Sequence, residues 1–272
     1  MILDRYPVNP DAPEEGTDIR ATFVVDADSL VLDPSLPAAA QTLDIFTPPA
    51  QATPPEGGWP VLVFIHGGYW RALDKADHSF IAPPWVNAVM GPGAVVVVPN
   101  YALCGALCPA VRVSTITAQM QQAVTWVHRC VAVHGGNPQR LTVAGHSAGG
   151  HLVGMLLSTD WAAFGLPAQP VQHGISISGL FDLEPIRQTP FLADLGLAPD
   201  EARAQSPVHR PHTGGVLTAV VGGDESEEFL RQNKLLQQVW GSAAAPVAKA
   251  AADATVPPKA ARPAPARPKA AG

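Results

Sequence analysis

Leu141-Thr142-Val143-Ala144-Gly145-His146-Ser147-Ala148-Gly149-Gly150-His151 decides the fold. A short apolar, β-prone run leads into Gly-x-Ser-x-Gly, and Leu152-Val153-Gly154-Met155-Leu156-Leu157 carries on as an apolar helix. A serine hydroxyl becomes a useful nucleophile when the backbone presents it at the end of a strand, on a sharp turn into a helix. Glycines two residues either side relieve the crowding of that turn, and the helix N-terminus favours negative charge developing nearby. The same letters also suit a Gly-rich connection whose serine only caps the helix. The strand before and the helix after weigh toward the nucleophile.

Working outward, Val61-Leu62-Val63-Phe64-Ile65 and Ala94-Val95-Val96-Val97-Val98 are continuous β-branched runs, as strands covered on both faces require. Gln41-Thr42-Leu43-Asp44-Ile45-Phe46 alternates like a half-buried strand. Ser79 to Met90 reads as a helix interrupted at Pro83-Pro84. From Ser114 to His134, Ile116, Met120, Ala123, Val124, Val127 and Val131 recur at helical spacing, and Gly135-Gly136 stops that helix. Ile175-Ser176-Ile177 and Leu217-Thr218-Ala219-Val220-Val221 are further strands, and Glu227 to Val239 a closing helix. Strands alternating with helices predict an α/β fold with a doubly wound, mostly parallel sheet.

Three regions follow. Residues 1–40 form an N-terminal approach segment with a strand near Ala21–Val25, residues 41–240 the α/β domain, and residues 241–272 a tail. That tail holds 14 Ala and 6 Pro with no aromatic residue, which predicts a disordered segment. Ala102-Leu103-Cys104-Gly105 and Ala106-Leu107-Cys108-Pro109 read as a four-residue duplication that a loop absorbs cheaply.

The chain has 272 residues, 47% of them hydrophobic, enough for one sizeable core. Its formal charge of −6 argues against nucleic-acid and anionic-membrane partners. No apolar run approaches membrane-spanning length, and the start lacks the pattern of a signal peptide, which predicts a cytoplasmic protein. Three cysteines frame no disulfide set and the nine histidines show no ligand spacing, so neither a metal nor another cofactor is expected.

His66-Gly67-Gly68-Tyr69-Trp70 directly follows the first buried strand. Successive glycines leave backbone N–H groups uncovered, as an oxyanion hole needs when a carbonyl oxygen gains charge. Paired with a downstream Gly-x-Ser-x-Gly, this loop is far more specific than either motif alone.

These residues, with Asp74-Lys75, Asn100-Tyr101 and Glu225-Ser226-Glu227-Glu228-Phe229-Leu230-Arg231-Gln232, resemble the kynurenine formamidase (arylformamidase) group of the α/β-hydrolase superfamily, near the hormone-sensitive-lipase-like esterases. The resemblance runs from about Gln41 to Trp240. It implies hydrolysis of a small aryl-formamide such as N-formylkynurenine, or of an ester, through an acyl-enzyme, with a short-chain carboxylesterase as the alternative, and a place in tryptophan catabolism. By position, Ser147 is implied as nucleophile, with the N–H groups of Gly68, Tyr69 and Ala148 as oxyanion donors. Tyr69 and Trp70 are implied as the pocket-lining, substrate-binding aromatics, with plain aromatic core packing as the lesser alternative. The acid is expected after the strand ending at Val221, where Asp224 and Glu225 both stand. Alignment on the following Ser-x-Glu-Phe selects Glu225, with Asp224 as runner-up.

The departure is the base. The fold's order is Ser, then Asp or Glu, then His, yet no histidine follows His212. His151 stands one helical turn past Ser147, and His209 and His212 precede the acid. Three explanations stay open: an out-of-frame or truncated C-terminus, a histidine from a partner chain, or a hydrolase fold kept for ligand binding; the abrupt change to an Ala/Pro/Lys/Arg mixture after Trp240 favours the first. The expected sheet lacks its final strand, and its open edge offers a route to a homodimer. The expected partner is otherwise a small-molecule substrate.

Overall fold

Valine-rich runs form the centre of a single sheet. The computed structural model describes residues 20–24, 35–86, 93–105 and 108–250. In chain order the elements are β1 (Arg20–Val24), β2 (Thr42–Phe46), β3 (Trp59–Ile65), α1 (Ala82–Val86), β4 (Val95–Pro99), α2 (Val113–Cys130) and β5 (Gly136–His146). Then come α3 (Ala148–Leu156), β6 (His173–Ile177), α4 (Glu184–Arg187), α5 (Pro199–Ala204), β7 (Val216–Gly222), α6 (Glu227–Trp240) and β8 (Ala244–Ala250).

The strand order is β1-β2-β4-β3-β5-β6-β7-β8. Strands β4, β3, β5, β6, β7 and β8 run parallel, while β1 and β2 are antiparallel at one edge. The expected doubly wound, mostly parallel sheet is therefore present. Side-chain alternation splits β3 between two layers: Val61, Val63 and Ile65 join the larger core with Ile116, Met120 and Leu152. Leu62 and Phe64 join a smaller one with Val86, Val96 and Ala144 on the other face.

Three expectations change. The sheet does have a strand after α6, so the tail reading is corrected at Ala244–Ala250. Its register against β7 runs Leu217↔Ala244 to Gly222↔Ala250, with one extra β8 residue between Ala245 and Ala248. The cause is backbone hydrogen bonding: an unpaired β7 edge recruits the next extended segment whatever its side chains, and Pro246 falls at the irregularity where an edge strand tolerates it. A homodimer through an uncovered β7 loses its premise for the same reason. Residues 251–272, like 1–19 and 25–34, lie outside the described residues.

Secondly, Pro83 and Pro84 open α1 instead of interrupting it, because the first helical turn has no partner for the missing N–H. A 3-10 segment, Lys75–Ile81, precedes it. Thirdly, β2 is buried on both faces instead of one, Asp44 included. The Lys75 ammonium donates to Asp44 Oδ1, so the buried carboxylate has a countercharge.

Candidate active site

The elbow is strained in the way a presented nucleophile requires. Ser147 has φ 54° and ψ −114°, outside the ordinary range of an L-residue, at the junction of β5 and α3. Its N–H donates to Ile177 O at 2.8 Å, extending the β5–β6 ladder past the last paired residue and holding the turn. Such a conformation costs on the order of 1–3 kcal/mol, which the surrounding packing sustains. A Cβ on Gly149 would fall 2.1 Å from Ile65 O, so only glycine lets α3 seat on the end of β3.

The loop after β3 lies against that elbow. A Cβ built on Gly67 would sit 3.3 Å from Ser147 Cβ and 2.8 Å from His146 O. Gly68, Tyr69 and Trp70 have φ of 105°, 53° and 58°, and no described residue accepts the N–H groups of Gly68 or Tyr69. Ala148 is the first residue of α3, where a helix leaves its N–H groups unpaired. The three expected oxyanion donors thus belong to two backbone segments that touch at Gly67 and Ser147.

Neighbouring groups brace the loop. The Tyr101 hydroxyl lies 3.0 Å from His66 O and 2.9 Å from Gly67 O. Its ring stacks on His66 with centroids 4.0 Å apart. His66 Nδ1–H donates to Gly67 O at 2.8 Å, and Nε2 lies 3.2 Å from Asn100 Oδ1. Burial holds His66 below the ordinary histidine range. Asn100 in turn donates to Asp74 Oδ2 at 2.7 Å, linking the loop to the segment that carries Lys75.

Trp70 corrects the expectation that it lines the pocket: it is fully buried. Its indole Nε1–H donates to His151 Nδ1 at 3.2 Å, and the rings meet at 85°. His151 Nε2 lies 2.6 Å from Gln205 O. Three successive loop residues with positive φ turn the second aromatic inward, toward α3. Tyr69 stays partly exposed, edge-on to Phe191 at 5.8 Å.

The two acid candidates separate. Glu225 Oε1 accepts from the Ser178 hydroxyl and from Gly222 N–H at 3.1 Å, which fixes its carboxylate just after β7. Asp224 is exposed. Ser178 was not singled out from sequence; it follows β6 with φ 51°, and no local pattern marks it. The Glu228-to-Gln232 segment proves to be scaffolding. Fully buried Gln232 accepts from Phe181 N–H (2.8 Å) and Asp182 N–H (2.7 Å) and donates to Asp182 O (2.8 Å) and Glu228 (2.7 Å). It ties α6 to the chain leaving β6.

No described histidine is hydrogen-bonded to Ser147. His212 packs on Trp240 with centroids 5.0 Å apart, and His209 is exposed on the turn Pro207–His209. Burial pushes the Cys104 thiol up to about 12, so it is no rival nucleophile at neutral pH. Among the described residues, no group of three or more His, Cys, Asp or Glu side chains could hold a metal ion, and no helix is long and apolar enough to cross a membrane.

An antiparallel pair followed by six parallel strands, with a strained serine turn after the fifth strand, defines the α/β-hydrolase class. Within it the chain belongs to the carboxylesterase family, whose model matches residues 41–186. It is 29% identical to kynurenine formamidase of Danio rerio, over 72% of this chain and 64% of that one, so it spans less than two thirds of that relative's length. It is 28% identical to kynurenine formamidase of Salmo salar, over 82% of this chain and 71% of the relative. A solved structure of a thioesterase candidate from Silicibacter sp. TM1040 superposes with a TM-score of 0.61 at 34% identity, covering 76% of this chain and 71% of that one.

Proposed function

We propose that the protein is a serine hydrolase of small aryl-formamides or aryl esters. Ser147 Oγ attacks the carbonyl carbon, and the N–H groups of Gly68, Tyr69 and Ala148 receive the developing oxyanion. The Ser147 proton passes through water to the leaving group as the C–N or C–O bond breaks, and a water then hydrolyses the acyl-enzyme, releasing the acid and returning a proton to Ser147 Oγ. Glu225, held by Ser178 and by Gly222 N–H, stands where the acid of such a site is expected, and the chain offers no histidine after it for that carboxylate to orient. The observation that carries this reading is Ser147 held at φ 54° against Gly67, with uncommitted amides beside it. The kynurenine formamidases among its relatives favour the formamide.

A second reading rests on one fact: residues 213–272 contain no histidine. In the subtilisin series, losing such a base costs on the order of 10⁶ in turnover, which would leave a fold that binds its ligand without turning it over. A fluorophosphonate probe decides between them. Labelling that disappears in Ser147→Ala supports the hydrolase. Tight binding of an aryl-formamide with no labelling and no turnover supports the binding fold. In side-by-side kinetics N-formylkynurenine should exceed phenyl acetate in kcat/KM, and ester efficiency equal or better would remove the formamidase assignment.

A further inference from the structure

Position sorts the nine histidines by their reach to Ser147. In a parallel sheet the chemistry lies at the carboxyl ends of the strands, here Ile65, His146, Ile177 and Gly222. His128 stands near the end of α2, His134 just before β5, and His173 opens β6, all at the opposite end of the sheet. His209 lines a separate cavity of about 500 Å³ with Ser158 and Arg210, past the far end of α3, and His212 packs on Trp240. Of the rest, His66 and His151 have both ring nitrogens engaged. His78 stacks on His66 with centroids 5.9 Å apart.

His146 is left. It is exposed, and among the described residues no hydrogen bond or ion pair holds its ring. One point fixes it beside the nucleophile: the Cβ position of Gly67 lies 3.2 Å from His146 Nδ1 and 3.3 Å from Ser147 Cβ. The two side chains flank the same glycine, within the span that a single water bridges. Any side chain at position 67 would fill the space between them. The titratable group that acts on His146 is His78, on the segment Lys75–Ile81, with Asp77 beside His78 and Asp74 beside His66. The adjacent strand β6 presents Ile177.

We propose that His146 is the general base of the site, taking the Ser147 proton through one water. The assignment rests on the serine-hydrolase reading. In acylation the Ser147 O–H proton passes to the bridging water, which gives one of its own to His146 Nδ1 as Oγ bonds to the carbonyl carbon. The imidazolium returns that proton through the water to the leaving nitrogen or oxygen as its bond to carbon breaks. In deacylation His146 takes a proton from the attacking water and passes it back to Ser147 Oγ. The neutral ring therefore carries its proton on Nε2. In the subtilisin series losing the base costs on the order of 10⁶ in turnover and losing only its orienting carboxylate on the order of 10⁴, so an unoriented base is worth about a hundred-fold.

The test follows the rate of fluorophosphonate labelling of Ser147 in the full chain as pH is varied. His146→Gln should label about a hundred-fold more slowly and lose the pH dependence of the parent. His146→Ala should be slowed alike and regain rate in added imidazole, which an exposed position admits. Imidazole restores nothing to a variant that is merely misfolded, so rescue separates lost chemistry from lost structure. His209→Gln, at the far cavity, should keep the parent rate. A rate unchanged in His146→Gln, a slowed rate with the parent's pH profile and no rescue, or a loss that falls on His209 instead overturns the assignment and leaves Ser147 a nucleophile. No labelling of the parent at any pH removes the hydrolase, and the base with it.

Discussion

The Trp70 indole N–H has one partner, and that partner fixes the chemistry of His151. Nε2 of His151 faces the Gln205 carbonyl and must carry its proton, so Nδ1 is bare and accepts from Trp70. Complete burial pushes the ring's pKa down to about 4, which keeps it neutral and keeps Nδ1 an acceptor at pH 7. The contact joins α3, which follows the strained Ser147 turn, to the loop expected to bind the oxyanion. His151→Leu strands the indole N–H and the Gln205 carbonyl together, and we expect a loss of about 3 kcal/mol, from about 1–3 per stranded group. A urea midpoint unchanged from the parent refutes that brace. Much of the site was legible at this scale: the spacing singled out Ser147, the loop at 66–70 and two carboxylates after β7. What escaped was direction. A run of left-handed residues sends Trp70 into the core, and the Ser178 hydroxyl that holds the Glu225 carboxylate arrives from another strand.

Elements were readable where side chains decide them and misread where the backbone does. The apolar runs of β3 and β4 and the helical spacing of α2 lie within a few residues of their expected bounds, because burial on two faces or one leaves a pattern in the letters. β8 leaves none. Ala244–Ala250 has poor strand propensity, and its pairing is decided by the edge that β7 presents, a tertiary fact. That difference is measurable. A chain ending at Ala250 keeps the ladder from Leu217↔Ala244 to Gly222↔Ala250, and one ending at Trp240 loses all of it. We expect the shorter chain to melt several degrees lower and to aggregate on heating, since β7 becomes the open edge. The longer one keeps every pair of the β7–β8 ladder and should melt above the shorter one by those same degrees. Equal melting of both truncations means that β8 contributes nothing to the sheet.

Across the whole molecule, six of the nine histidines are held below their ordinary range: His66, His78, His128, His134, His151 and His212. Burial is the leading cause in each. The unfolded chain protonates these rings as pH falls through 6.5, while the folded chain resists, so the unfolded state binds more protons and stability falls with falling pH. His151 spans the widest stated window, from 6.5 down to about 4, where its folded form finally takes a proton and its contribution is gone. Alone it gives a slope of about 1.4 kcal/mol per pH unit inside that window. The lowered Glu228, paired with Arg231, acts the same way but only in the carboxylate range. Urea midpoints taken at pH 7.5, 6.5, 5.5 and 4.5 should therefore stay level above 7 and drop steadily below 6.5. The slope should be shallower in His151→Leu even though that variant starts less stable. A midpoint that rises on acidification, or an undiminished slope in the variant, contradicts a neutral buried ring at 151, and with it the acceptor on which Trp70 depends.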